Sequence, residues 1–348
     1  MSDSDVLIRI VGQWGHITLN RPRALNALTF AMCNAIDDAL AAWTRDSGVL
    51  GVLIDGAGER GFCAGADIRA LYDAIRKGEV AQADVFFARE YRLNARIAKF
   101  PKPYIALMDG LTMGGGVGLS AHGSHRVVSE RTVLAMPEVG IGFIPDVGAT
   151  YLLGRVPDNL GTHAALTAMR LTGADSIAIG LADYYVPGQL LDDLRQRVLT
   201  APSADHAVAA LRACATAPPA SALLEQRGWT QSCYDHASID DILVALGNGG
   251  EAAHMARTVI AAQSPTAIKL TLRALRAGRG YNAVEPCLQQ EYRVALRCMR
   301  APDFTEGVRA AVVDKDRTPH WQPDSLAQVD EATLDRYFAP LGAAELLF

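Results

Sequence analysis

Residues 109–148 read DGLTMGGGVGLSAHGSHRVVSERTVLAMPEVGIGFIPDVG, and this stretch gives the clearest indication of the fold. It follows a short apolar run, Tyr104 to Met108, which has the length and composition of a buried strand. The chain then passes through Asp109-Gly110 and three successive glycines, Gly114 to Gly116, before a segment that can start a helix. This order predicts a loop whose backbone N–H groups at a helix start are open to a ligand oxygen.

The same pattern occurs earlier in the chain. Val52-Leu-Ile-Asp-Gly56 and Ala106-Leu-Met-Asp-Gly110 each end a strand at Asp-Gly. After the first copy, the loop AGERGFCAGAD leads into a helix predicted to begin near Asp67. Two copies of one unit could aim N–H groups from two loops, Ala64 to Ala66 and Gly114 to Gly116, at one point. Two such donors are the minimum for an oxyanion hole.

Two carboxylates follow the glycine loop. Glu138 and Asp146 lie eight residues apart, and each comes directly after a proline, which restricts the backbone. Either one alone could be an ordinary cap of a helix or turn. Their surroundings, however, are rich in Met, Val, Ile and Phe, where an ionised carboxylate is costly unless it is paired or used in chemistry. Polarising donors together with paired carboxylates indicate acyl chemistry.

The remaining pattern predicts an α/β fold. Alternating apolar and polar residues predict a hairpin near the N-terminus, and helical spacing of apolar residues predicts helices on both sides of a second strand. These elements are Val6 to Ile10, His16 to Asn20, Thr29 to Thr44, Val49 to Ile54 and Asp84 to Phe100. Strand signals become rare after Gly148. We therefore expect a core over residues 1–200 and a helical C-terminal region over residues 201–348.

Composition narrows the class of protein. A net charge of −5 in 348 residues argues against nucleic-acid or anionic-membrane partners, which need basic patches. No apolar window is long enough to span a membrane. The six cysteines show no CxxC pairing, so we expect free thiols in a reducing compartment, and the scattered histidines predict no metal site. The acidic N-terminus suggests neither a signal peptide nor a transit peptide, which predicts a cytoplasmic protein.

One alternative comes from the glycine loop itself. Gly116-Val-Gly118-Leu-Ser-Ala121 matches the G-x-G-x-x-A form of the dinucleotide fingerprint. The loop after Asp109-Gly110 is too long for the tight first turn of a nucleotide-binding unit, and the later alternation of parallel strands is missing. A nicotinamide-dependent dehydrogenase is therefore the weaker interpretation.

At the glycine loops and the two carboxylates, the sequence resembles the crotonase superfamily, which has the enoyl-CoA hydratase and isomerase fold. It is most similar to the 3-hydroxyisobutyryl-CoA hydrolase branch of that superfamily. The similarity covers nearly the whole chain and is most specific in four blocks. These blocks are Gly61 to Arg69, Lys102 to Gly118, Ala135 to Gly148, and the C-terminal set Glu291-Tyr-Arg, Asp303 to Ala310, Asp314-Lys-Asp and Pro319-His-Trp321. The resemblance implies a spiral of ββα turns followed by helices.

The resemblance also implies roles for individual residues. Ala66 and Gly115 correspond to the two N–H donors of the family's oxyanion hole, with Gly114 beside them in the substrate loop. Glu138 matches a glutamate shared by hydratases and the hydrolase, and Asp146 falls where this branch has aspartate. Glu90 matches a further active-site glutamate of the branch. The stretches that bind coenzyme A correspond to Arg23, Ala24, Leu25, Ala64, Ala66, Asp67 and Ile68.

One departure from the hydratases points to the reaction. Hydratases carry a second catalytic glutamate at the position that is Gly118 here. The resemblance therefore implies hydrolysis of an acyl-CoA thioester, most closely 3-hydroxyisobutyryl-CoA in valine catabolism, with no separate cofactor. The alternatives are an enoyl-CoA hydratase or isomerase on the same fold and a non-catalytic protein that binds coenzyme A. Helical tails of this fold usually join subunits, which implies a homo-oligomer.

Overall fold

A computed structural model of the protein describes residues 4–348, which form two compact units. The first, called the sheet unit below, consists of residues 4–66, 92–135 and 170–222. The second, called the helical unit, consists of residues 67–91, 136–169 and 223–348. Among the described residues, all strands lie in the sheet unit.

The strands of the sheet unit form two sheets. The larger sheet contains, in spatial order, β1 (Val6–Val11), β2 (Trp14–Leu19), β3 (Gly51–Gly56), β5 (Tyr104–Met108), β7 (His125–Val128) and β10 (Tyr184–Tyr185). The smaller sheet contains β4 (Gly61–Cys63), β6 (Leu111–Met113), β8 (Val133–Ala135) and β9 (Leu171–Thr172). Only the pairs β1–β2 and β8–β9 are antiparallel among the described strand pairs.

A repeated pair of strands generates both sheets. In the pairs β3–β4, β5–β6 and β7–β8, the first strand joins the larger sheet and the second joins the smaller one. Successive first strands pair in parallel, with Val52 opposite Tyr104 and Ile105 opposite His125. Successive second strands also pair in parallel, with Leu111 opposite both Gly61 and Val133. The chain therefore advances as a spiral, which confirms the repeat predicted from the two Asp-Gly strand ends.

Helices complete the sheet unit and bury one apolar cluster. The helices are α1 (Phe30–Arg45), the second part of α3 (Val80–Ala98), α4 (Gly115–Ser120), α7 (Gly173–Ala178), α8 (Leu191–Leu199) and α9 (Ala204–Cys214). Leu53, Ile105 and Val127 from three neighbouring parallel strands pack in one cluster with Leu194 of α8 and Leu211 of α9. Apolar strands that alternate with helices in this way explain why the strand segments read as continuous hydrophobic runs.

The helical unit has its own apolar core. Its helices are α2 (Ile68–Arg76), the first part of α3, α5 (Ala149–Gly154), α6 (Leu160–Thr167), α10 (Arg227–Cys233), α11 (Ile239–Gly247), α12 (Glu251–Ala261), α13 (Pro265–Arg279), α14 (Val284–Cys298), α15 (Pro302–Val308) and α16 (Glu331–Phe338). Ile242, Ile260 and Ile268, from α11, α12 and α13, share a buried cluster with Val139 and Leu166. The cluster packs the short turn after Glu138 against long helices, which gives that turn a fixed support.

The elements largely follow the sequence pattern. The hairpin and the strand Tyr104–Met108 are confirmed, and Thr29 caps α1 by accepting a hydrogen bond from the Met32 N–H. Helix α3 begins four residues before the predicted Asp84. The predicted helical C-terminal region is also confirmed, while the division at residue 200 stays a prediction. No helix between residues 4 and 348 has the length and apolar character needed to cross a bilayer.

The buried indole of Trp14 gives a test of this core. Trp14 is fully buried and donates from Nε1 to the Ala201 carbonyl at 3.0 Å. Trp14→Phe leaves that carbonyl without its donor and opens space in the cluster, so we expect a loss of about 2 to 4 kcal/mol in the free energy of unfolding. Trp321 is the matched control because its Nε1 donates to the Ala262 carbonyl, also at 3.0 Å, but at the surface. Urea denaturation should show a much smaller loss for Trp321→Phe, and equal losses would contradict the account.

Candidate active site

Two glycine-containing loops meet inside the sheet unit. A Cβ atom added to Gly65 would lie 3.4 Å from the Gly115 nitrogen and 3.1 Å from the Met113 carbonyl oxygen. Gly65 has φ +99°, and Gly114 has φ +49°, a region that favours glycine in both loops. The same chain segments place Gly115 at the first position of α4, where N–H groups point away from the helix. The predicted approach of the Ala64 to Ala66 and Gly114 to Gly116 loops is therefore present.

Close contact between the loops also restricts Gly116. A Cβ atom there would lie 2.4 Å from the carbonyl oxygen of Cys63, which is a backbone atom that cannot move aside cheaply. Since any side chain at this position would push the two loops apart, the third glycine keeps the first turn of α4 against β4.

The segment predicted to bind coenzyme A contacts the first of these loops. Residues Pro22–Ala24 form a short 3₁₀ turn, followed by Leu25 and Asn26, both with positive φ. The Leu25 carbonyl accepts a hydrogen bond from the Ala64 N–H at 3.0 Å, and the Leu28 N–H donates to the Gly65 carbonyl at 2.8 Å. The predicted residues Arg23, Ala24, Leu25, Ala64 and Ala66 thus belong to one continuous piece of backbone structure in the sheet unit.

A buried asparagine holds that backbone in place. Asn26 is fully buried, and its side-chain oxygen accepts from the Arg21 N–H at 2.9 Å. Its side-chain nitrogen donates to the carbonyls of Ala57 and Gly61, each at 3.0 Å. Asn26 is not among the residues predicted from the sequence, although an asparagine beside a proline-containing turn is a signal of such bridging.

The helical unit brings the predicted acidic residues together. Glu90 lies on α3, Glu138 begins a 3₁₀ turn over Glu138–Ile141, and Asp146 lies on the loop before α5. All three side chains are at least nine-tenths buried. The predicted residues Asp67 and Ile68 also belong to this unit, where Asp67 caps α2 by accepting from the Ala70 N–H.

A tyrosine links α3 to the Asp146 loop. Tyr91 is fully buried, and its hydroxyl donates to Asp146 Oδ2 at 2.6 Å. The ring of Tyr91 packs edge-on against Phe87 and Tyr292, with centroid separations of 5.8 and 6.1 Å. Because these rings fix the hydroxyl, the direction of the Asp146 carboxylate is fixed as well.

Burial and mutual repulsion keep protons on these acids. Burial raises the pKa of Asp146 to about 7, although the Tyr91 hydrogen bond acts in the opposite direction. Burial, followed by the nearby charge of Asp146, raises the pKa of Glu138 well above its ordinary value, and the same two causes raise that of Glu90. The three groups therefore share protons near neutrality instead of all ionising, as interacting buried carboxyls do.

Two of the acids have oxygens without a protein partner. Glu138 Oε2 and Glu90 Oε1 are buried and accept no hydrogen bond from the described residues. An unsatisfied buried carboxyl oxygen costs free energy, which is tolerated where a ligand or water supplies the missing contact. This is the chemical signature expected of groups that act on a substrate.

Tyr91, which donates a hydrogen bond to Asp146, is not among the residues predicted from the sequence. Tyr91 has the apolar spacing of a core residue on an amphipathic helix, and it lies 55 positions from Asp146, so no local pattern could reveal its hydrogen bond.

The dinucleotide interpretation fails because β6 separates β5 from α4, and no tight strand-to-helix turn forms. Within residues 4–348, no group of three His, Cys, Asp or Glu side chains could hold a metal ion.

Comparison with known proteins identifies relatives of this chain. A relative from Danio rerio, called "3-hydroxyisobutyryl-CoA hydrolase, mitochondrial", is 41% identical over 351 residues and is aligned over 99% of this chain and 91% of its own length. That name contradicts the predicted cytoplasmic location, since the relative is mitochondrial. The prediction took the acidic N-terminal residues as evidence against a transit peptide, and neither they nor the unpaired cysteines distinguish one reducing compartment from another.

Two solved structures have nearly the same fold. A protein from Mycobacterium thermoresistibile, titled a carnitinyl-CoA dehydratase, is 48% identical with a TM-score of 0.94 and covers 99% of both chains. A protein from Rhodobacter sphaeroides, titled an enoyl-CoA hydratase, is 39% identical with a TM-score of 0.92 and covers 99% of this chain and 100% of its own. The family model described as "Enoyl-CoA hydratase/isomerase" matches residues 14–338. The spiral of strand pairs, the two glycine loops and the buried acids are therefore those of a member of the enoyl-CoA hydratase/isomerase family, to which this chain belongs.

Proposed function

We propose that the protein hydrolyses the thioester of a short branched 3-hydroxyacyl-CoA, namely 3-hydroxyisobutyryl-CoA, to 3-hydroxyisobutyrate and coenzyme A. The observation that carries this proposal is the buried acid pair, Glu138 and Asp146, with a free oxygen on Glu138 and a hydrogen-bonded carboxyl on Asp146. The relatives named as 3-hydroxyisobutyryl-CoA hydrolases support the choice of acyl group. The reaction belongs to the breakdown of valine.

The sheet unit supplies the electrophilic part of the mechanism. The N–H groups of Ala66 and Gly115 would hold the thioester carbonyl oxygen, which becomes negatively charged when water adds to the carbon. Backbone donors of this kind need no reorganisation during the reaction, and the loss of one typically costs about 3 kcal/mol of transition-state stabilisation. Arg23, Ala24 and Leu25 together with the Ala64 to Ile68 stretch would hold the coenzyme A portion.

The helical unit supplies the proton transfers. Glu138 acts toward water as a general base, or toward the thioester carbon as a nucleophile that forms a transient anhydride. Its unpartnered Oε2 is the atom available for either role. Asp146, whose pKa is about 7, delivers a proton to the departing thiolate when the shared proton lies on it. Water is the second substrate, so the reaction requires no cofactor.

Glu90 is the proposed partner of the substrate's 3-hydroxyl group. It is buried on α3 next to Tyr91, and its Oε1 is unpartnered among the described residues. A site built to hydrogen-bond a hydroxyl rejects an analogue that lacks it, because the buried oxygen is then left unpaired. Glu90 would therefore select 3-hydroxyacyl groups over unsubstituted ones.

A second candidate function is hydration or dehydration at a carbon–carbon double bond. It is favoured by the 48% identity to the structure titled a carnitinyl-CoA dehydratase. Against it, position 118 is a buried glycine in α4 and offers no second carboxylate beside the glycine loop.

A homo-oligomer formed through the C-terminal helices is part of the proposal. Light scattering on the purified protein measures its mass, and therefore its number of subunits, directly.

Glu138→Gln tests the proposed reaction. Wild-type protein should release thiol from 3-hydroxyisobutyryl-CoA in a panel of short acyl-CoA thioesters, and it should leave the absorbance of crotonyl-CoA unchanged. The amide that replaces the carboxylate cannot take up a proton or attack carbon, so we expect thiol release to fall by about 10² to 10⁴-fold with the melting temperature preserved. Glu331→Gln, at an exposed position, is the control. Unchanged turnover in Glu138→Gln would remove Glu138 from the mechanism.

Glu90→Gln tests the recognition of the hydroxyl group. The measurement is kcat/KM for 3-hydroxyisobutyryl-CoA and for isobutyryl-CoA. Because one hydrogen bond to a charged or buried carboxyl contributes about 1.5 to 3 kcal/mol, we expect the ratio of the two values to drop by about 10- to 100-fold. Equal losses on both substrates would show that Glu90 does not contact the hydroxyl.

Asp146→Asn tests the protonation state of the pair. The pKa of Asp146 is raised from 3.8 to about 7 in the folded protein, so ionisation removes folding stability as the pH rises through that window. Asparagine cannot ionise and can still accept the Tyr91 hydrogen bond. The melting temperature of Asp146→Asn, relative to wild type, should therefore increase from the acidic to the alkaline end of the window. Asp73→Asn, at an exposed carboxyl, should show no such trend, and a flat difference for Asp146→Asn would contradict the raised pKa.

A further inference from the structure

The turn that carries Asp146 has an unusual backbone. Val147 has φ +54° and Gly148 has φ +83°, so two successive residues directly after Asp146 lie in the left-handed region. A β-branched residue is rarely found there, and such a conformation persists only where its surroundings hold it. Gly148 is also the N-cap of α5, and it has no side chain to satisfy the first N–H groups of that helix.

A carboxylate from a distant helix supplies the missing acceptor. Glu291 of α14 is fully buried, and its Oε2 accepts from the Gly148 N–H at 2.6 Å. Its Oε1 accepts from the Thr150 N–H at 3.0 Å and from the Thr150 hydroxyl at 2.5 Å. Both oxygens of one side chain thus cap the start of α5 from outside the helix, where a negative group is also favoured by the helix dipole.

The next residue of α14 supports Asp146 from its other side. The ring of Tyr292 packs edge-on against Tyr91, whose hydroxyl donates to Asp146 Oδ2. Consecutive residues of one helix therefore hold the backbone after Asp146 and the donor to its carboxylate. Burial alone does not explain a glutamate at position 291, since an apolar side chain of similar size would be buried at a lower free-energy cost.

We propose that Glu291 is a positioning residue for the reaction: by capping α5 through both carboxylate oxygens, it holds the left-handed Val147-Gly148 turn and so directs Asp146 toward the reacting groups. The inference rests on the proposed function for the role of Asp146. The hydrogen bonds of the Glu291 carboxyl go to the turn, Thr150 and Cys287, so its proposed effect on the reaction passes through Asp146.

The test replaces Glu291 with Gln. An amide of the same size keeps one acceptor oxygen but turns an NH₂ group toward an N–H donor of the turn, so the two-oxygen cap cannot form. In hydrogen exchange followed by mass spectrometry, we expect peptides covering residues 146–154 to exchange at least about tenfold faster in Glu291→Gln than in wild type. In thiol release measured above the Glu291 pKa of about 8, kcat should fall at least about tenfold, while KM stays within about twofold.

Gln289→Leu is the matched control on the same helix. It removes a side-chain amide that donates to the Leu346 carbonyl at 2.9 Å and leaves Glu291, Tyr292 and Tyr91 in place. This variant should keep the wild-type exchange rate in residues 146–154 and the wild-type kcat. Should Glu291→Gln fail to fold, Thr150→Val removes a single hydrogen bond of the same cap and should move both measurements in the same direction by smaller amounts.

The outcomes separate the two proposals. Wild-type exchange in residues 146–154 of Glu291→Gln, or faster exchange with unchanged kcat, would overturn the positioning role. In the Thr150→Val protein, no change in either measurement would do the same. A wild-type protein that releases thiol from none of the acyl-CoA panel would instead refute the proposed function. The exchange comparison needs no substrate and would still decide whether Glu291 holds the turn.

Discussion

Burying several acidic side chains in one apolar region is the constraint on which the helical unit depends. Glu90, Glu138, Asp146 and Glu291 are all nearly inaccessible, and burial raises the pKa of each. A charge in such a place is stable only where donors surround it. Asp146 has the Tyr91 hydroxyl, whereas Glu291 has the start of a helix. These donors lower the pKa of Asp146 and Glu291 against the effect of burial, whereas Glu138 and Glu90 each have an oxygen with no hydrogen-bond partner among the described residues.

In the sheet unit, the feature of interest is a close approach of two backbone segments, and it involves no acidic side chain. The approach is so close that a Cβ atom on Gly116 would lie 2.4 Å from the carbonyl oxygen of Cys63, the last residue of β4. Such an approach requires rigid strands on either side, and β4 and β6 are paired in parallel at this point. The repeated strand pair explains why two equivalent loops exist at all. The close approach of the two loops therefore follows from the topology of the spiral, and it requires positions without a side chain.

How much of this arrangement the sequence can predict depends on the distance between the interacting groups. The strand Tyr104–Met108, the Thr29 cap and the two glycine loops are local features with a local signal, and they appear where the sequence places them. Glu138 and Asp146 stand out because acids are rare in apolar runs. Tyr91 and Glu291 have no such signal, since a tyrosine and a glutamate on amphipathic helices usually pack or face solvent. Their contacts span 55 and 143 residues, so only the folded chain reveals them.

The similar folds of proteins named for different reactions show that this scaffold does not by itself select the chemistry. An oxyanion site serves any reaction that places negative charge on a thioester oxygen, whether an enolate forms or water adds to the carbonyl carbon. The choice of reaction must therefore depend on where acidic side chains lie relative to the substrate's thioester oxygen. In this chain, position 118 is a buried glycine and offers no acid near the glycine loop, whereas position 146 is an aspartate whose charge acts on Glu138. Burying Asp146 has a structural cost, because the acid is followed by the left-handed Val147-Gly148 turn and needs a donor, which Tyr91 supplies. Tyr91, Val147-Gly148 and Glu291 are then best understood as one set of consequences of placing that single carboxylate.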